Sequence, residues 1–322
     1  MIVVSPSPHI HSGKSSDFLM WQVVLALMPV LAAAVWNFGI PAAFIVGVCL
    51  LSCLVTEWVI DKLTGRANTL RDGSAVITAL LLAFNLPSIL PWWMAVIGSV
   101  VAIGIGKMSF GGLGCNIWNP ALVGRVFLLI SFPAAMTTWP VDIPSGIDGM
   151  TGATVLSYMN SAPDAVSHVN MLDMAVGKMN GSLGETGAVA ILIGAVYLLI
   201  RGVITWHIPV SVLLSAAIFS WLFGGNPLVD LLAGGLMLGA CFMATDYVTS
   251  PMTRLGQVIF GACIGLITII IRRYGAYPEG VSFAILLMNS FVPLINRYTR
   301  PVVFGQRERR SMDKVTGKGV RS

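Results

Sequence analysis

Apolar runs of membrane-spanning length recur from one end of this chain to the other. They cover residues 18–37, 39–60, 74–90, 91–107, 118–134, 184–200, 204–223, 228–244, 256–271 and 281–296. A helix needs roughly 20 apolar residues to cross a hydrocarbon core of about 30 Å, and a backbone in that core must satisfy its own hydrogen bonds. The ten runs predict an all-α polytopic membrane protein with about ten transmembrane helices. A composition of 56% hydrophobic against 10% charged residues excludes a soluble domain. The third and eighth runs stand apart, because "FNLPSILP" and "TDYVTSP" place proline and polar residues where a helix would continue. The first run contains "LAAAVW", which resembles a signal-peptidase site. Its length and the spans that follow it mark a retained helix instead.

Lysine and arginine set the expected orientation. With a cytoplasmic N-terminus, the inner loops hold Lys14, Lys62, Arg66, Arg71, Lys107, Arg201 and Arg254, and a basic tail over residues 297–322 is also inside. Only Lys178, Arg272 and Arg273 fall outside, and the last pair runs against the rule. The long connection over residues 135–183 then faces the periplasm or cell exterior, with Asp142, Asp148, Asp164 and Asp173 making it acidic. The tail satisfies the charge rule and meets anionic lipid. Nothing accompanies it that would recognise nucleic acid.

Shifting the sequence by 163 residues lays Gly98 on Gly261, Gly112 on Gly275 and Ala121 on Ala284. The chain then reads as one membrane domain over 1–322, with helical repeats at 18–134 and 184–296. Five helices per repeat is an odd number, so the second copy would enter the membrane inverted, with broken helices meeting near the midplane.

The five cysteines, Cys49, Cys53, Cys115, Cys241 and Cys263, have no metal or iron–sulfur spacing, and no metal site is expected. The four histidines form no set with a serine or cysteine, so no residue is expected to act as a hydrolytic catalyst.

Three polar stretches carry chemical information. In "KMSFGGLGCNIWNPALVGR", residues 107–125, glycines allow close backbone approach to a flat or anionic ligand, and Asn116 and Asn119 offer amide groups. The plainer reading is a turn capped by Asn119. Asp246, in "MATDYVTSPMT", is a carboxylate at the membrane boundary and so a candidate for an ion pathway. It equally suits a helix end before Ser-Pro. In "GIDGMTGATVL", residues 146–156, Asp148-Gly149 suits a turn, and Thr151 or Thr154 suits a cap.

Together with "DGSAVITALLLAFNLP", "GSLGETGAVAILIGAVYLL" and "YPEGVSFAILLMN", these stretches resemble the D-type subunit of the bacterial Rnf electron transport complex. They are also similar to its homologue, the B-type subunit of the sodium-pumping NADH:quinone reductase. The resemblance covers nearly the whole chain. It implies a urea-transporter-like inverted repeat and a covalent flavin. In this family a flavin transferase attaches FMN, through its phosphate, to the threonine that ends a D-G-x-[S/T]-G-A-T pattern. That threonine is Thr154 here, and Asp148, Gly149, Thr151, Gly152 and Ala153 fill the other fixed positions. The small residues leave room for the phosphoryl-flavin.

The resemblance further associates the glycine-rich segment with a second, non-covalent flavin, riboflavin, near the cytoplasmic side. Asn116 and Asn119 become its candidate contacts. The implied function is electron relay by flavins within an ion-translocating ferredoxin:NAD oxidoreductase in the bacterial inner membrane, coupled to Na⁺ or H⁺ movement. The implied partners are subunits of the A, B, C, E and G types, and the other cofactors belong to them. This chain has neither a dinucleotide fingerprint nor cluster-spaced cysteines. Two alternatives share the pattern. One is the quinone-reductase subunit, to which the family gives an N-terminal region longer than the roughly 17 residues that precede the first run. The other is an inverted-repeat solute channel without flavin.

Overall fold

The computed structural model describes residues 15–66, 69–140, 151–152, 174, 177, 181–185, 187–275 and 280–301. Helix α1, Ser16–Phe38, starts where the Ser15 hydroxyl accepts the Phe18 N–H, and α2, Ile40–Thr64, follows after Gly39 alone. Helix α3, Ser74–Phe84, is short. It stops at Asn85, and Pro87 prevents it from resuming. Helix α4 begins as Trp92–Val101 and continues through a π-turn, Ala102–Lys107, and a 3₁₀ turn to Phe110. Helix α5, Pro120–Ser131, and the turn-length α6, Pro133–Met136, complete the first half.

The second half contains α7, Ala188–Ile200; α8, His207–Leu222; α9, Pro227–Leu232; α10, Leu236–Leu238, continued by a π-turn over Gly239–Met243; α11, Arg254–Tyr274; and α12, Val281–Thr299. The described residues contain one strand pair, β1 Trp139–Pro140 antiparallel to β2 Thr151–Gly152. Two residues per strand leave the described residues essentially all-helical.

Five of these helices are long and apolar enough to cross a membrane: α1, α2, α4 with its continuation, α11 and α12. The protein is a membrane protein. Helices α3, α5, α7 and α8 are apolar but shorter. The eighth apolar run is broken at Ala233–Gly235, where Gly234 and Gly235 take positive φ of 74° and 64°. The third run is thus the half-length helix α3, while the eighth ends before "TDYVTSP" and is also broken at Ala233–Gly235, where the sequence reading marks no interruption.

Close packing explains the order of the bundle. Helices α8 and α11 make the most extensive contact: Gly261 and Gly265 lie against Ser211, Ser215 and the Ile208 and Val212 carbonyls. Small residues one turn apart let two backbones approach, and van der Waals contact replaces a hydrophobic drive that lipid does not supply. Helix α1 packs on α7, where Gly194 abuts the Ala26 carbonyl with no room for a Cβ. Adding 163 brings two helices of the first half onto two of the second. Residues 92–110 become 255–273, against α11 at 254–274, and 120–131 become 283–294, within α12 at 281–299.

The charge count needs two corrections, the first at Arg272 and the second at Lys107. Arg272 is not an outer-loop charge but a buried one. Its guanidinium donates to the carbonyls of Asp230, Ala233 (2.8 Å) and Gly234 (3.3 Å) and faces the Asp230 carboxylate at 3.7 Å. It satisfies the carbonyls left open where α9 breaks, as a membrane-embedded backbone requires. Arg273 and the Ser220 hydroxyl occupy Asp230 Oδ2 at 3.1 and 2.5 Å.

Candidate functional site

Three sequence segments far apart in the chain enclose one cavity. The start of α3 contributes Ser74, Ile77 and Thr78; the end of α4 and the glycine-rich turn contribute Lys107, Leu113, Asn116 and Asn119; and the stretch after α10 contributes Phe242, Thr245, Asp246 and Tyr247. Met20 and Val23 of α1 and Leu198 of α7 close the wall. The enclosed space is about 750 Å³ including its open mouth.

The structure thus brings Asn116, Asn119 and Asp246 together, and it gives each a different position. Asn119 is fully engaged: its Oδ1 accepts the Ala121 N–H and caps α5, while its Nδ2 donates to the Met243 carbonyl at 3.2 Å. Its amide joins the two halves. Asn289 of α12 adds to that junction, accepting the Asn119 N–H and donating to the Thr249 carbonyl when its amide is oriented to satisfy both. Asn116 donates to the Trp118 carbonyl at 3.1 Å and its side chain also reaches Asp246. Asp246 lies in the turn beyond α10 and accepts from the Thr249 hydroxyl at 3.1 Å and the Val248 N–H at 3.5 Å. Burial raises the pKa of its carboxyl, and the hydrogen bonds from Thr249, Val248 and Asn116 oppose that rise. Asp246 is both the helix-ending group and a carboxyl facing the cavity.

Of the threonine motif, Thr151 and Gly152 form β2 against Trp139–Pro140. Asp148, Gly149, Ala153 and Thr154 lie outside the described residues.

The chemistry that sequence reading missed is at the cavity edge. Lys107, placed by charge counting in a loop, is buried, and its ammonium donates to Glu57 Oε1 and Ser74 Oγ, both at 2.6 Å. The Thr69 hydroxyl contacts Glu57 Oε1 at 2.6 Å and Asp61 Oδ2 at 3.0 Å. Ser74 in turn donates to Asp72 Oδ1 at 2.7 Å. A signal was present: "TEWVID" sets two carboxylates one helical turn apart in an otherwise apolar span.

Comparison with known proteins decides the family. Residues 3–305 match the profile of the NQR2, RnfD, RnfE family. The chain belongs to that family. Its relatives include the D subunit of the Na(+)-translocating ferredoxin:NAD(+) oxidoreductase complex of Acetobacterium woodii, 48% identical over 94% of this chain and 95% of its own. The D subunit of the proton-translocating ferredoxin:NAD(+) oxidoreductase complex of Clostridium ljungdahlii is 42% identical over 95% and 97%. The D subunit of the ion-translocating oxidoreductase complex of Stutzerimonas stutzeri is 40% identical over 92% and 94%. In this member of the NQR2, RnfD, RnfE family, the cavity combines apolar walls, neutral amides and hydroxyls, one carboxylate, and one ammonium already paired with Glu57. Such a lining suits an uncharged ring system with a polar edge. It offers little to a phosphate, which needs unpaired cationic donors.

Proposed function

We propose that this chain is the D-type membrane subunit of an ion-translocating ferredoxin:NAD oxidoreductase complex, and that it relays electrons through two flavins. One is FMN, held covalently on Thr154; the other is riboflavin, held in the cavity. The observation that carries the reading is the convergence of the glycine-rich segment and the Asp246 turn on a single cavity whose apolar walls and neutral polar groups suit a flavin ring. The near full-length similarity to relatives named as D subunits supports the complex, and the unbroken Asp148-to-Thr154 pattern supports the covalent attachment.

A bound flavin supplies one- and two-electron transfer. The residues supply the rest. Ile77, Leu81, Leu198 and Phe242 would hold the ring and exclude water, while Asn116 and the hydroxyls of Thr78 and Thr245 would orient its polar edge. Asn119 would position the glycine-rich turn by tying it to Met243. Partner subunits of the A, B, C, E and G types carry ferredoxin, NAD and iron–sulfur chemistry, and a flavin transferase modifies Thr154. The coincidence of helix bounds at an offset of 163 residues supports two inverted five-helix repeats of urea-transporter type. That arrangement leaves both termini cytoplasmic and the Thr154 loop outside. The names of two relatives differ in the ion moved, Na⁺ in one and H⁺ in the other, so the ion is set by details below the level of the family.

Peptide mass spectrometry on the membrane-purified protein tests the covalent flavin. An FMN-sized addition on the peptide that contains Thr154, absent from Thr154→Ala, is the expected result. An unmodified peptide in the presence of an active transferase overturns it. Extraction of the denatured Thr154→Ala protein should still release one riboflavin, and none released removes the cavity assignment. For ion movement, Asp246→Asn should lower pumping in vesicles at unchanged flavin content; equal pumping removes Asp246 from the path.

A further inference from the structure

Glu57 and Asp61 are 0% and 3% exposed, yet among the described residues neither Glu57 Oε2 nor Asp61 Oδ1 meets a hydrogen-bond donor. The two buried carboxyls are bridged by Thr69, and the Lys107 ammonium contacts Glu57 alone, so each carboxyl keeps an oxygen that a proton can occupy. The other charged or titratable groups around it leave those oxygens open. Asp72 contacts Ser74, Cys53 lies one turn deeper on α2, and Asp246 faces the same cavity from the far wall. Lys62, Arg66 and Arg71 are exposed.

The cluster is also linear. Lys107 lines the cavity; Glu57 Oε1 is 2.6 Å from its ammonium; the Thr69 hydroxyl is 2.6 Å from Glu57 and 3.0 Å from Asp61 Oδ2. Thr69 is half-buried, and the α2 terminus beside it, from Lys62 to Arg66, is exposed. Every member can pass a proton on: the ammonium gives one and the resulting amine regains one, an open carboxylate oxygen takes one that the carboxyl then gives up, and a hydroxyl donates and accepts together. Hydrogen bonds arranged in a chain polarise one another.

We propose that Asp61, Thr69, Glu57 and Lys107 form a proton relay from the exposed end of α2 to the cavity, serving the protonation of whatever redox group the cavity holds. A proton taken from water by Asp61 passes through the Thr69 hydroxyl, which gives up its own proton as it accepts the new one, and reaches Glu57. Lys107 releases one proton into the cavity and regains one from Glu57, so the relay ends as it began and one proton has moved. The inference rests on the cavity being a flavin site, since a flavin reduced by an electron donor gains protons on its ring nitrogens.

The test uses the purified complex reduced by dithionite in a stopped-flow instrument, with a pH-indicator dye reporting proton uptake and absorbance reporting flavin. Thr69→Val and Glu57→Gln should slow proton uptake by about 10²-fold, the scale for losing one positioned proton-transfer group. Thr69→Ser, which keeps a hydroxyl, should retain the wild-type rate and its slowing in heavy water. Equal rates in Thr69→Val and wild type overturn the relay. So does equal slowing in Thr69→Val and Thr69→Ser, which marks a packing role. If the wild-type cavity contains no flavin, the assignment of the cavity falls instead. The relay is then judged by infrared spectroscopy, where a protonated-carboxyl band that shifts in heavy water should vanish in Glu57→Gln. Absence of that band in wild type across the titration overturns the relay.

Discussion

Lys107 and Arg272 are separated by nearly the sequence offset of 163: 107 plus 163 is 270, two residues before Arg272. Both are 2% exposed cations facing a buried carboxylate, and they are used in opposite ways. Arg272 is consumed by structure. Its planar fork reaches three carbonyls at the α9 break, and Arg273 and Ser220 take up Asp230 Oδ2. Lys107 is a compact point charge on Glu57 and Ser74, and the carboxylates behind it keep open oxygens beside a cavity. The choice of cation follows its role, since a guanidinium fork locks a backbone, whereas an ammonium can lose and regain a proton.

Removing each cation should break this pair apart. The largest loss is expected for Arg272→Met, which uncaps the broken helix and leaves the Asp230 carboxylate to Arg273 and Ser220 alone. Thermal unfolding in detergent should show a cost of about 3–5 kcal/mol, nearly constant with pH. Arg272→Lys should recover only part of it, because a lysine cannot span the three carbonyls. For Lys107→Met the initial cost is of the same kind but should shrink as the pH is lowered, since the stranded Glu57 can take up a proton. A pH-independent loss would make Lys107 a second Arg272. Adding Glu57→Leu to Lys107→Met should restore most of the stability, with the pairwise energy read from a double-mutant cycle.

Next in size is the junction between halves. Asn119→Ala should cost about 1 kcal/mol as a lost cap, with a further loss from the bond to the Met243 carbonyl, both read from thermal unfolding. The smallest effect belongs to the surface: Arg66→Ala, at an exposed position at the end of α2, should stay within about 0.5 kcal/mol.

Much of the layout is legible in local chemistry. The start of α1, the immediate turn to α2 and the break after Asn85 follow from a serine cap, a glycine and a proline. The cap role of Asn119 is legible too, because Asn-Pro opening an apolar run is a local signal. Charge counting is weaker. It assigns Lys107 and Arg272 to loops because nothing near them in sequence shows that Glu57, fifty residues away, and Asp230, forty-two residues away, face them in the interior. Glu57 and Asp61 escape a reading by hydropathy, because two carboxylates barely lower the average of so apolar a span.

By itself, the sequence determined that this is a polytopic membrane protein of the NQR2, RnfD, RnfE family, where most of its apolar segments lie, and where the threonine motif lies. Each of these depends on hydropathy, turn chemistry or motif order, which act over neighbouring residues. Only the tertiary structure decided that residues near 75, 107–120 and 242–248 enclose one cavity, that Asn119 is engaged while Asn116 and Asp246 face each other, and which buried cation is locked and which is not. Those outcomes depend on which helices pack together, and hence on the distances between groups far apart in the chain.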